Sequence, residues 1–171
     1  MSETLSPREV FQKLIGGITA GRFAELPELY AEDAVVETVF EPVGPRRIEG
    51  RAALEERFAL VSVSTPVQLT ATNVLIRTTD DPEVIVAEWD YQVHHRVTGR
   101  DFEVANIQVL RVRDGLIVNS RDFHDHLALV VATTSRSWWR RWTASSVRLR
   151  AGDGEEGGSH IADAGNAQLA V

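Results

Sequence analysis

The chain contains no cysteine, which excludes disulfide bonds, thiol nucleophiles and thiolate metal sites. It has no apolar run near the ~18 residues that a membrane-spanning helix requires. Its 18 basic residues are outnumbered by 25 acidic ones, which gives a formal net charge of −7. This balance disfavours non-specific binding to nucleic acid, which needs a basic face. Residues 1–7 show no apolar secretory core. We therefore expect a cytoplasmic protein with neither a nucleic-acid nor a membrane partner.

The length and composition are those of one domain with a real core. The 171 residues are 43% hydrophobic, too few for two domains of ordinary size. We expect the domain to occupy residues 1–135. A short extension rich in Trp and Arg follows at 136–150, and Gly, Ala, Asp, Glu and Ser dominate 151–171. That last composition predicts a disordered tail.

Three helices are predicted in the N-terminal third. Ser6 is placed as the N-cap, Pro7 as the first helical residue, and Glu9 as the partner of Ser6 in a capping box. Apolar residues then recur at helical spacing up to Ile18, and Gly21 ends the helix. A short second helix is predicted at 23–31 and a third at 51–62, separated by a strand at 34–40 and a turn-rich stretch at 41–50.

The rest of the domain has the pattern of strands. We predict strands at 67–78, 84–96, 102–113 and 116–126, the last two joined by Asp114-Gly115, a strong hairpin signal. The strand at 84–96 alternates strictly. One face carries Trp89, Tyr91 and His95, and the other carries Glu88, Asp90, Gln92, His94 and Arg96. Such alternation indicates one covered and one wet face. The predicted fold is therefore α+β, a curved antiparallel sheet with three N-terminal helices on one side, forming a cone-shaped pocket.

Two segments carry a family resemblance. Residues 29–37 (LYAEDAVVE) resemble the helix-to-strand signature of ketosteroid-isomerase and SnoaL-like proteins of the nuclear-transport-factor-2-like superfamily. Residues 112–117 (VRDGLI), followed by 121–125 (RDFHD), resemble their last hairpin. The resemblance covers roughly residues 6–130 and implies a cone that encloses one apolar small molecule. It does not fix the activity, because this fold carries many functions.

The pattern is nearest to two groups within the superfamily. In limonene-epoxide hydrolases, an Arg-Asp-aromatic-aromatic-Asp run is similar to residues 121–125, and its catalytic aspartate falls on Asp122. Their Arg-x-Asp partner falls on Trp89 and Tyr91, so the hydrolase set is incomplete. In phenazine-biosynthesis A/B proteins, the catalytic glutamate also falls on Asp122. The two catalytic carboxylates of ketosteroid isomerases fall on Thr38 and Gln108, and their catalytic tyrosine falls near Leu14, which argues against steroid isomerisation.

The resemblance and the alternation together define a candidate site. The predicted catalytic residues are Asp122, His124 and Tyr91: a carboxylate on a covered face, a histidine two positions further on the same face, and a phenol able to donate to a substrate oxygen. The predicted substrate-binding residues are Trp89, His95, Phe102, Asn106, Gln108, Thr38, Phe40 and Phe58. Each also has a structural reading: Asp122 as the partner of Arg121, His124 or a backbone amide, His124 as a satisfied core histidine, and the aromatic residues as packing.

Neither a metal nor a cofactor is expected. Asp122, His124 and His126 alternate along one predicted strand and could in principle bind zinc, yet the resembling families use no metal. The Trp138–Trp142 segment invites a membrane or nucleic-acid interpretation, but a C-terminal helix packed on the domain or on a partner copy explains it more simply.

Three functions remain open on the sequence. The first is a cofactor-independent acid–base enzyme, of isomerase or cyclase type or else epoxide-opening, that acts on a hydrophobic, polyketide-like or aromatic molecule in secondary metabolism. The second is a non-catalytic module for ligand binding or dimerisation, and the third is a metal enzyme built on the histidines. A homodimer is expected in every case, because Ala105, Ile107 and Val109 make one outer strand face too apolar to leave bare.

Overall fold

The computed structural model describes residues 4–41, 44–64 and 66–128, without the side chain of Ser64. The elements in chain order are α1 (Pro7–Thr19), a 3₁₀ helix (Phe23–Leu29), β1 (Tyr30–Thr38), β2 (Arg46–Glu49), α2 (Arg51–Ser64), β3 (Val67–Thr78), β4 (Val84–His95), β5 (Arg100–Arg113) and β6 (Leu116–His124). This is the predicted α+β architecture: a curved, unclosed six-stranded sheet with the helices.

Helix α1 begins where the capping box predicted. The Ser6 backbone N–H donates to Glu9 Oε2 at 2.8 Å, and the Glu9 backbone N–H donates to Ser6 Oγ at 3.4 Å. Two N–H groups that would otherwise lack a helical partner are thereby satisfied. The side chains of Val10 and Phe11 are fully buried and that of Leu14 nearly so, which fixes α1 against the sheet.

The second helix and the following stretch differ from their predictions. Residues 23–29 form a 3₁₀ helix, and β1 begins at Tyr30, inside the predicted helix. Pro27 lies within this helix and has no N–H to donate, so a regular α-helical ladder cannot run through it. The predicted turn region contains β2, which pairs antiparallel with β1. Arg47 of β2 forms ion pairs with Glu37 at 2.8 Å and with Glu49.

The strand order is β2-β1-β6-β5-β4-β3. The antiparallel pairing of β3 to β6 is the predicted meander, but β6 also pairs in parallel with β1. The β5–β6 turn has φ of 51° at Asp114 and 78° at Gly115, as a two-residue hairpin requires. The parallel pair brings the end of β1 beside the end of β6, where the candidate residues lie.

The alternation predicted for β4 is confirmed. Its alternate residues, starting at Ile85, are all buried, and the intervening ones are half-buried or exposed. Trp89 packs against Phe11 of α1 with ring centroids 5.3 Å apart. The inner face of the sheet therefore faces the helices, and the core lies between them.

Strand β6 is shorter than predicted. It ends at His124, and residues 126–128 are helical. Asp125 caps this turn, because its Oδ1 accepts from the Ala128 N–H at 2.8 Å. His126 consequently leaves the strand, although it remains buried.

Some predictions concern residues outside this description. The extension at 136–150, the tail at 151–171 and the end of the domain predicted at residue 135 all lie outside the described residues. Among residues that are described, no helix is long and apolar enough to cross a membrane.

Two adjacent glycines of α1 offer a test of the packing. A Cβ at Gly17 would lie 2.4 Å from Cδ2 of Leu26, which is 2% exposed, whereas a Cβ at Gly16 would meet nothing within 4 Å. Both alanine variants gain the same helix propensity, so Gly16→Ala is the matched control. We expect Gly17→Ala to be less stable than Gly16→Ala by about 1–3 kcal/mol in urea unfolding. Equal stabilities would show that Leu26 moves aside freely.

Candidate functional site

A cavity of about 670 Å³ lies between the inner face of the sheet and helices α1 and α2. This volume is within the range of small-molecule sites. Eight of the eleven residues predicted for the site line it: Asp122, His124, Tyr91, Trp89, Asn106, Gln108, Thr38 and Phe58. Strand residues make up the floor, and α2 contributes Leu54, Phe58 and Val61 to the opposite wall.

The strand register explains why the polar floor residues meet. Gln108 of β5 lies opposite Asp122 of β6, and Asp122 lies beside Thr38 of β1. One step along, Asn106 lies opposite both Trp89 and His124. Because side chains two residues apart share a face, both rows project to the covered side.

Three predicted residues lie elsewhere. His95 is buried, but its Nδ1 accepts from the N–H groups of Val97 and Thr98 at 3.3 and 3.2 Å, so it holds the β4–β5 turn. Phe102 is half-buried and packs against the core. Phe40 is 62% exposed and packs edge-on against Phe123 beside a separate, smaller groove. The strand alternation predicts which residues face the covered side of the sheet. It does not show which of those residues line the cavity and which lie beside it.

Asp122 is held by neutral donors. Its Oδ1 accepts from Gln108 Nε2 at 2.9 Å and from the Ser120 hydroxyl, and Gln108 Nε2 also lies 2.9 Å from Ser120 Oγ. Arg121, a possible structural partner, instead pairs with Glu37 at 3.3 Å. No cation among the described residues pairs with Asp122. The carboxylate is therefore fixed in direction without being neutralised.

Two buried phenols lie near this carboxylate. Burial raises the pKa of Tyr30, and the charge of Asp122 raises it further. Burial likewise raises the pKa of Tyr91, the indole of Trp89 opposes the rise, and Asp122 adds to it. Both phenols stay protonated at neutral pH and can donate to an oxygen in the cavity. Tyr30 was not among the predicted site residues, although it lies in the segment that carries the family resemblance.

The two histidines of the cavity are held neutral. Burial lowers the pKa of His124, while Asp122 opposes the change. Burial, followed by His124 and the nearby arginines, lowers the pKa of His126 to about 4. The His124 ring lies 5.6 Å from that of Trp89 and 5.7 Å from that of His126. The orientation of Asp122, a role considered for His124, is provided by Gln108 and Ser120.

Four buried polar atoms have no hydrogen-bond partner within the described part of the chain: Arg57 Nη1, Trp89 Nε1, His124 Nε2 and His126 Nε2. The four residues all line the cavity. Sequence reasoning missed Arg57, yet the signal was available. Arg57 follows Leu54 by three residues and precedes Val61 by four, so it interrupts an apolar helical stripe.

The described residues contain no group of three His, Cys, Asp or Glu side chains placed to hold a metal ion. His126 lies on the helical turn that follows β6 rather than in line with Asp122 and His124. The geometry is therefore that of an aromatic cavity with a fixed carboxylate, neutral hydroxyl and ring N–H groups, and two guanidinium groups, the half-buried Arg57 and the exposed Arg96.

The low pKa of His126 makes a prediction about stability. The unfolded chain takes up a proton near the ordinary value of 6.5, whereas the folded chain does so only near 4. The contribution of neutral His126 to the free energy of unfolding is therefore fully present above pH 6.5 and is lost as the pH falls toward 4. Between pH 7 and pH 5, the free energy of unfolding should fall by about 1–2 kcal/mol less in His126→Gln than in wild type, as measured by urea titrations.

The control for this titration is Val97→Ala, because Val97 carries no titratable group and is exposed in the β4–β5 turn. This variant should keep the wild-type difference between the two pH values. Identical pH dependence of His126→Gln and wild type would contradict the assignment of a buried, neutral His126.

Comparison with known proteins places this geometry in a family. The chain is 28% identical over 131 residues to the uncharacterized protein YesE of Bacillus subtilis (strain 168), covering 75% of this chain and 88% of YesE. A crystal structure from Bacillus subtilis named "Putative Isomerase" is also 28% identical, with a TM-score of 0.62 and coverage of 70% and 86%.

A "putative polyketide cyclase" from Silicibacter sp. TM1040 shares the fold, with a TM-score of 0.61, 15% identity and coverage of 75% of this chain and 94% of that one. The SnoaL-like domain model matches residues 11–120, a span that begins within α1 and ends within β6. This chain is a member of the SnoaL-like domain family.

Proposed function

We propose that this protein is a cofactor-independent acid–base enzyme of isomerase or cyclase type that acts on a hydrophobic small molecule. The observation that carries the proposal is the Asp122 carboxylate, which lies in a cavity of about 670 Å³ and is oriented by Gln108 and Ser120 without a pairing cation. Asp122 is half-buried, so it is partly desolvated and yet held by neutral donors alone, as suits a carboxylate that takes up a proton.

The surrounding groups suit proton transfer at carbon. Asp122 would remove a proton from a carbon next to a substrate carbonyl, and the negative charge would develop on the carbonyl oxygen. The Tyr30 and Tyr91 hydroxyls lie near enough to Asp122 to feel its charge, and the Trp89 N–H belongs to the same cavity, so these neutral donors can stabilise that oxygen. Return of the proton to another carbon completes an isomerisation. Attack of the enolate carbon on a second carbonyl within the substrate, followed by protonation of the resulting alkoxide, completes a cyclisation.

The relatives support this class. Proteins of the same fold carry the names isomerase and polyketide cyclase, although at these identities the names do not identify a substrate. Epoxide opening has less support, because it requires an activated water. The positions that correspond to the Arg-x-Asp pair of the hydrolases are occupied by Trp89 and Tyr91. These two buried aromatic residues pack edge-on, with their ring centroids 5.7 Å apart.

The test is enzyme-catalysed exchange of a carbon-bound proton. 2-Tetralone is an apolar ketone with acidic C–H bonds, and its exchange in D₂O is measured by proton NMR. We expect wild type to accelerate the exchange above the buffer rate and Asp122→Asn to reduce the catalysed rate by about 10²–10⁴-fold. Asparagine keeps an oxygen for Gln108 and Ser120, so the cavity should remain intact.

The matched control is Asp80→Asn in the exposed turn between β3 and β4, which should exchange at the wild-type rate. Binding of 2-tetralone to wild type without any exchange would overturn the proposal in favour of a binding module. Full exchange activity in Asp122→Asn would remove Asp122 from the reaction.

A further inference from the structure

Arg57 is the least expected group in the cavity. It lies on α2, on the same side as Leu54, Phe58 and Val61, and its Nη1 atom is buried. Burial lowers the pKa of Arg57, but the guanidinium remains charged because arginine is not deprotonated in proteins. Arg57 as a whole is half-buried, and a buried donor atom such as its Nη1 is costly when no acceptor meets it. No described residue accepts a hydrogen bond from Nη1.

The neighbouring charges do not supply that partner. Glu41 attracts Arg57, but its carboxylate is bound to Arg46, with Nε at 3.0 Å, and its side chain is 6% exposed. Arg46 itself repels Arg57. Arg46 and Arg57 therefore lie near one carboxylate, that of Glu41, and this carboxylate is already paired with Arg46.

His126 adds a second unsatisfied group beside Arg57. It is 9% exposed, its Nε2 has no partner within residues 4–41, 44–64 and 66–128, and Arg57 is close enough to lower its pKa. We refer to Arg57 and His126 as the basic pole of the cavity. The guanidinium and the one N–H of the neutral ring are available to an acceptor, and neither Arg57 Nη1 nor His126 Nε2 has a partner among the described residues.

From these observations, we propose that the basic pole binds a carboxylate, so that the ligand of this cavity is an apolar carboxylic acid. The planar guanidinium matches a carboxylate in shape and charge. The charge-assisted hydrogen bonds between them are stronger than hydrogen bonds between neutral groups. The apolar body would contact Leu54, Phe58 and Val61, next to Arg57 on α2. The proposal rests on the proposed function only in taking the same cavity as the substrate site.

The pole and the proposed reaction centre are linked through His124. Its ring contacts both His126 of the pole and Trp89, which lies next to the phenol of Tyr91. A carboxylate held at the pole would therefore position the rest of the ligand along the floor toward Asp122. The basic pole thus selects and orients the ligand, and Asp122 removes the proton from it.

Calorimetry on the full chain with two ligands of equal shape tests this inference. 2-Naphthylacetate carries the carboxylate, and 2-naphthylacetamide replaces it with a neutral amide. We expect wild type to bind the acid at least ~10-fold more tightly than the amide. Arg57→Gln should abolish the preference, Arg57→Lys should retain part of it, and the surface variant Arg77→Gln should retain all of it.

A second measurement does not depend on the folding of a variant. A bound anion favours the protonated form of a nearby histidine, so the NMR-detected pKa of His126 in wild type should rise when the acid binds and not when the amide binds. An unchanged His126 titration, equal Kd values for the two ligands, or no binding of either would overturn the inference.

The result is separable from that of the catalytic proposal. Asp122→Asn should keep the preference for the acid even though it loses proton exchange. Exchange of 2-tetralone by wild type without any preference for the acid would overturn the basic pole alone. A preference for the acid without exchange would overturn the catalytic role alone.

Discussion

The register between β5 and β6 sets the whole cavity floor. It places Gln108 opposite Asp122 and Asn106 opposite His124, and the parallel pairing with β1 adds Thr38 to the first row. A shift of β6 by one residue would turn Asp122 and His124 to the outer face. The Asp114-Gly115 turn begins the pairing of β5 with β6, and a shift of register between Arg111 and Val112 then sets the pairing of Gln108 with Asp122.

Burial then determines which of the polar groups carry charge. It holds the Tyr30 and Tyr91 phenols protonated and the His124 and His126 rings neutral. The charged groups that line the cavity are thereby Asp122 on the sheet, Arg57 on α2 and the exposed Arg96 after β4. A developing negative charge in such a site meets hydroxyl and ring N–H groups that are already in place, which is the condition for electrostatic stabilisation without reorganisation.

The sequence predicted the features that depend on local pattern. Alternation in β4 identified the covered face, and the capping box placed the start of α1. The features that depend on tertiary pairing were missed. Strand β2 was missed because it forms by pairing with the edge of β1. The 3₁₀ helix at 23–29 was missed for a local reason, since Pro27 prevents the predicted α-helix. Arg57 was visible as a charge within an apolar stripe, but only the cavity shows that this stripe faces a ligand-sized space rather than packed core.

The separation of the two charges is the strongest physical reason to regard the cavity as a functional site. Asp122 and Arg57 line the same space, yet no ion pair joins them. A structure selected for stability alone would pair them or replace them, because each desolvated charge without a counterion opposes folding. Keeping a carboxylate and a guanidinium on opposite walls leaves a gap that one molecule can occupy. Such a molecule would present an acidic group to α2 and a reactive carbon to the sheet, and the desolvation cost of the two half-buried charges would be offset when it binds.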